Sequence, residues 1–163
     1  MKERVSYPEL KVLLHQLDES YTKKAWHGPN LRGSIRGLTC EQAAWRPGRS
    51  RHNIWEIVVH TAYWKYAVRR RLLGEKRGSF PIKGSNWFAR PQKMTAEAWR
   101  QDVSLLEATH RSLHAAILRL RPSDLHKASV GGKSTPAVLI SGIASHDVYH
   151  AGQIQLIKRL QRR

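Results

Sequence analysis

His146 and His150 stand four residues apart, as H-x-x-x-H, inside the largely apolar stretch from Leu139 to Leu160. At about 100° per residue, a helix places the two imidazoles within roughly 40° of each other, one turn apart. That spacing lets one metal ion bridge two ring nitrogens. The local sequence S-H-D-V-Y-H lacks the glutamate of H-E-x-x-H, so a zinc-protease reading is not supported. Two core histidines bonded to neighbours, or two histidines facing solvent, would share the same spacing, and spacing alone leaves these alternatives open.

A third ligand has to come from elsewhere. His60 lies near the midpoint of another helical stretch, and the pair brackets the midpoint of the last one. The three therefore fall at one height whichever way the helices run. His60 is toward the edge of the stripe Ile54, Thr61, Val68 and Leu72 and shares a face with Ile57, Trp64 and Ala67, so its position permits the role without demanding it. Three neutral imidazoles leave coordination positions open to water or substrate, as in a catalytic site. An ion there could acidify water or polarise a carbonyl or thiol. Glu56, Asp147 and Tyr149 are candidates for supporting or acid/base roles, and no catalytic residue or fourth ligand stands out. A second i, i+4 pair, His110 and His114, reads as one core and one boundary histidine. His15, His27, His52 and His126 lie near boundaries or in loops.

Four helices are expected to position these groups. Ser6 to Glu9 form an S-x-x-E capping box with Pro8 in the first turn, opening a helix with the stripe Leu10, Leu13, Leu14, Leu17 and Tyr21. An irregular connection follows, in which Thr39 to Gln42 can cap a turn or two. Ser50 is the expected N-cap of a second helix running to Gly74, apolar on most sides from Ile54 to Val68. Residues 75–94 read as a polar loop pinned by Trp87 and Phe88. Thr95 opens a third helix with the stripe Trp99, Val103, Leu106, His110, Leu113, Ile117 and Leu120, ended by Pro122. After a connection containing Gly131 and Gly132, Thr135 and Pro136 start the fourth, whose stripe is Leu139, Ile143, His146, His150, Gln153, Ile157 and Leu160. The expected fold class is all-α, a single four-helix bundle over residues 1–163 with long connections after the first and second helices. The second connection is long enough to run back along the bundle, giving an up-down-down-up order.

Composition sets the surroundings. The chain has 163 residues, 40% of them hydrophobic, enough to bury a core. Its 29 Lys and Arg against 12 Asp and Glu give a net charge of +17, which favours anionic partners. Runs at Arg69 to Arg71, at Lys76 and Arg77, and at Lys158, Arg159, Arg162 and Arg163 also suit solvated helix ends. Cys40 stands alone, so neither an intrachain disulfide nor a cysteine zinc cluster can form. With no signal-like N-terminus and no spanning stretch, a cytoplasmic protein without membrane contact is expected.

The segments WHGPNLRGSIRGLTCEQAAWRP, RHNIWEIVVHTAYWKYAVRRRLLG and HDVYHAGQIQLIKRL together resemble the DinB-like family of metal-binding four-helix bundles, related to bacterial thiol-dependent transferases. The resemblance covers nearly the whole chain. It implies a divalent metal, zinc or nickel, on His60, His146 and His150, an up-down-down-up bundle and a homodimer. Relatives include transferases and isomerases using a low-molecular-weight thiol and proteins labelled hydrolases, so it does not imply one reaction. The reading drawn is a metal-dependent enzyme, thiol transferase or hydrolase, acting on a small, anionic substrate. The alternatives are a basic nucleic-acid-binding module, with nonspecific attraction as its weaker form, and a metal-bound bundle without chemistry.

Overall fold

The computed structural model describes residues 7–128 and 133–162; Ser6, Gly131, Gly132 and Arg163 lie outside the described residues. Among these the chain is all-α, with six helices and no strand: α1 Pro8–Tyr21, α2 Leu31–Ser34, α3 Cys40–Ala44, α4 Ile54–Leu73, α5 Ala96–Ile117 and α6 Pro136–Leu160. The four longer helices suit a bundle. The two short ones, α2 and α3, lie in the connection between α1 and α4.

Local chemistry accounts for most of the boundaries. The position before α1 is Tyr7, which makes no side-chain cap bond, and the proposed Ser6 cap is not among the described residues. Thr39 and Gln42 form the expected capping box of α3. Helix α4 starts at Ile54, later than expected from Ser50. Asn53 accepts from the Glu56 amide while the Glu56 carboxylate returns to the Asn53 amide, and Ser50 falls in the preceding turn. This reciprocal box satisfies two helix-end donors, which a lone serine cannot do. Gly74 ends α4 at φ +68°, a left-handed conformation that a Cβ would strain. Thr95 and Thr135 cap α5 and α6 as expected.

Helix α4 is buried almost all round because it packs against both α5 and α6, whereas α1 packs mainly on α6. The starts of α4 and α5 meet: Trp55 donates to Asp102 Oδ2 at 2.7 Å and packs edge-on against Trp99. At the end of α1, Tyr21 stacks on His110 of α5, with ring centroids 3.6 Å apart. One apolar cluster gathers Trp55, Val58, Leu106 and Ile154, and a second gathers Leu14, Val68, Leu113 and Ile140. Along α4, α5 and α6, the residues lying in sequence between the two clusters include Lys65, His110 and Asp147, all buried.

The fourth helix is rotated relative to the expected stripe. Its buried face is Ile140, Ile143, Ala144, Asp147, His150, Ala151, Ile154 and Ile157, while Leu139, His146, Gln153 and Leu160 are only half-buried. Contact with both α1 and α4 widens the buried arc, and Ala144 and Ala151 offer little bulk on that side. His146 is consequently at the edge of the core, facing the site.

Candidate metal centre

Helix α4 supplies His60 and helix α6 supplies His146 and His150, and the structure brings all three together. One ring nitrogen of each lies within 4.8 Å of the others. His146 Nε2 is 3.1 Å from His60 Nε2 and 3.1 Å from His150 Nε2. His60 and His150 are buried, and His146 is half-buried.

The outward nitrogens decide what the inward ones carry. His60 Nδ1 donates to the Asn86 carbonyl at 2.8 Å, and His150 Nδ1 donates to Gln153 Oε1 at 2.7 Å. A neutral imidazole has one N–H, so both Nε2 atoms present lone pairs to the centre of the cluster. His146 Nε2 has at most one proton to give, and two acceptors face it. Hydrogen bonding within the triad therefore leaves a lone pair unmatched, whereas a cation among the nitrogens would satisfy all three. The donor set fits a divalent transition-metal ion.

Burial keeps these rings neutral. It pushes His60 below the usual histidine range, His146 down to about 3 and His150 down to about 4; neighbouring imidazoles add to the last two shifts. The lone pairs are thus available at neutral pH without first expelling protons.

The loop after α4 supplies the wall. Trp87 lies flat against His60, ring centroids 3.8 Å apart, and against His52 at 3.6 Å, so the indole is clamped between two imidazoles. Asn86, at φ +63°, also accepts from Trp64 Nε1 through its side chain. Trp64 packs edge-on to both His60 and His146. The expectation that Trp87 and Phe88 pin this loop is met, with Phe88 buried in the core.

The other candidates separate. Glu56, one turn before His60, is engaged by Arg46, His52 and the Asn53 amide and serves the helix start. Asp147 turns inward, pairing with Lys65. Tyr149 is exposed, and its phenol oxygen accepts from Gln153 Nε2 at 3.0 Å. Gln153 therefore links His150 to Tyr149; its signal in sequence was its place three residues beyond His150. His52 lies in the connection just before α4, as expected, and its ring also backs Trp87. His110 is buried, and His114 is half-buried 3.4 Å from Asp18. In the basic run after His60, Arg69 pairs with Glu75 and Arg70 donates to the Glu75 carbonyl, in keeping with a helix end. Cys40 is buried and unpaired.

An all-α chain with three convergent imidazoles from two long helices defines a class of helical proteins carrying a metal-type site. Residues 24–154 match the DinB superfamily, and the chain belongs to that family. Its members are often metal-binding. Comparison with curated proteins and with solved structures gave no significant match. Among the described residues, no helix is long and apolar enough to cross a membrane.

Proposed function

We propose that this protein binds one divalent ion, zinc or nickel, through Nε2 of His60, His146 and His150, and that the site serves a reaction on a small substrate, transfer involving a low-molecular-weight thiol or hydrolysis. The observation that carries the reading is the pair of outward Nδ1 donors on His60 and His150, which commits two Nε2 lone pairs to one point. When bound, such an ion supplies a Lewis acid that acidifies a thiol or water and polarises a carbonyl. The chain's own groups hold and shield that point. Asn86 and Gln153 fix two imidazole orientations, Trp64 and Trp87 wall the site, and the phenol of Tyr149, already accepting from Gln153, keeps its own proton to offer to a bound substrate.

The helix order we infer is up-down-down-up. It is supported by the meeting of Trp55 with Trp99 at the starts of α4 and α5, by Tyr21 on His110 beside Asp18 near His114, and by Lys65 on Asp147 beside His60 near His150.

A second copy of the chain is proposed to cover the outer face of α6. Val138, Gly142, Ser145, Tyr149, Gly152 and Leu156 recur at alternating spacings of four and three and are all exposed. That is the repeat of a helix seam, and the two glycines leave backbone bare for close approach.

Metal analysis of untagged protein tests the central claim. One ion per chain is expected in the wild type and loss of the ion in His146→Ala; an unchanged metal content in that variant sinks the assignment.

A further inference from the structure

A cavity of about 530 Å³ lies between α4 and the loop that follows it, outside the histidine cluster. Its aromatic lining is Tyr63, Tyr66 and Phe80, with Phe80 edge-on to Tyr63 and tilted against Tyr66, both at 5.3 Å between centroids. Arg70, Arg77 and Lys83 supply its charge, and no carboxylate lines it. Among the described residues, neither Arg77 nor Lys83 forms an ion pair. The Tyr66 phenol oxygen accepts from the Gly78 and Ser79 amides at 3.2 Å each, which holds the loop over the rings. The half-open space is of the size that accepts a small molecule.

We propose that this cavity binds a small anion bearing a flat apolar ring, the ring against Phe80 and Tyr63 and the phosphate or carboxylate against Arg77 and Lys83. The chemistry is the ordinary complement of the lining. Aromatic faces accept a planar ring, and cations with no ion-pair partner among the described residues accept an oxyanion through charge-assisted hydrogen bonds. The next residues of the loop, Asn86 and Trp87, hold His60, so the bound molecule lies beside the histidine site without needing its ion. The inference therefore stands apart from the metal assignment.

Phenyl phosphate, inorganic phosphate and benzyl alcohol, titrated calorimetrically into chelator-treated protein at physiological salt, provide the test. Phenyl phosphate is expected to bind at one site, about tenfold or more tighter than either fragment, because only it engages both halves of the lining. The double variant Arg77→Gln/Lys83→Gln should lose about tenfold or more of that affinity with an unchanged helical spectrum. Phe80→Ala should weaken phenyl phosphate and leave inorganic phosphate alone. The control Arg111→Gln/Arg119→Gln removes the same charge from exposed positions and should change nothing. Absence of saturable binding, or an equal loss in the control pair, overturns the proposal. So does tight binding of a single-stranded oligonucleotide that depends on Arg77 and Lys83 but is not displaced by phenyl phosphate.

Discussion

Lys65 donates its ammonium to Asp147 Oδ2 in the centre of the bundle, and neither side chain has any exposed surface. Burial pushes the lysine below and the aspartate above their ordinary ranges, while their mutual attraction opposes both shifts. The ammonium also lies 4.8 Å from the centre of the Tyr21 ring. The pair joins α4 to α6 and sits next to His146, so it ties together the two helices that supply the triad.

Breaking this pair from one side strands a charge in the core. Asp147→Leu or Lys65→Met alone should lower unfolding stability by about 3–5 kcal/mol, whereas the double variant should regain most of the loss because no unpaired charge remains. Urea denaturation of metal-free protein measures this. Equal destabilisation by the single and double variants would show that packing volume, not charge, is what matters there.

The pair explains why part of the architecture was legible in the sequence and part was not. Caps at Thr39, Thr95 and Thr135 and the stop at Gly74 depend on local chemistry, and they fell where spacing and residue type put them. His60 meets His146 and His150 because all three sit near helix midpoints, which spacing also revealed. The rotation of α6 was not legible, since an aspartate in the buried arc looks like a surface residue until the lysine opposite it is known. Asn53 displaced Ser50 because its cap is reciprocal with Glu56, and that same bond withdrew Glu56 from the site. His52 and Asn86 depend on a loop path, and periodicity carries no information about loops.

Acid should destabilise the fold in proportion to its buried neutral histidines. Burial, assisted by the Lys65 charge, holds His110 at about 2 against an ordinary value of 6.5. The unfolded chain binds that proton first, so this contribution is fully present above about pH 6.5 and is lost as pH falls below it. His110→Phe keeps a ring against Tyr21 and removes the titration. Between about pH 4.5 and 6, the slope of stability against pH should fall by about 1.4 kcal/mol per unit in this variant. An unchanged slope would mean that His110 takes up its proton in the folded state.

The bond from His150 Nδ1 to Gln153 should set the strength of metal binding. Gln153→Leu removes the acceptor and is expected to weaken binding about 10- to 100-fold. Gln153→Glu, which keeps an acceptor at the same reach, should restore it. Tyr149→Phe should leave affinity unchanged, because the phenol lies one bond further out. Competition with a chromogenic chelator measures all three, and equal affinity of wild type and Gln153→Leu would remove Gln153 from the site.

Metal should also appear as stability. An ion that binds only the folded chain adds about 2.7 kcal/mol at a free concentration 100 times its dissociation constant. Chelation should therefore lower the midpoint of thermal unfolding in the wild type and have no effect on His60→Ala. A chelator-induced shift of equal size in both proteins would place the bound ion elsewhere.

The outer face of α6 offers the last test. Leu156 is 59% and Tyr149 63% exposed, large apolar side chains on a helix whose inner face is already packed. A two-fold pairing would bring each such residue against its copy's seam, so one charge placed there acts twice. Leu156→Glu should convert a dimer to a monomer in sedimentation equilibrium without loss of helix content, and Leu156→Met should not. Because Tyr149 shares this face and reaches His150 through Gln153, dissociation should also expose its phenol to solvent. The tyrosine difference absorbance on dissociation should therefore disappear in a Tyr149→Phe background, whereas a general loosening of the bundle would shift the other tyrosines as well and persist there.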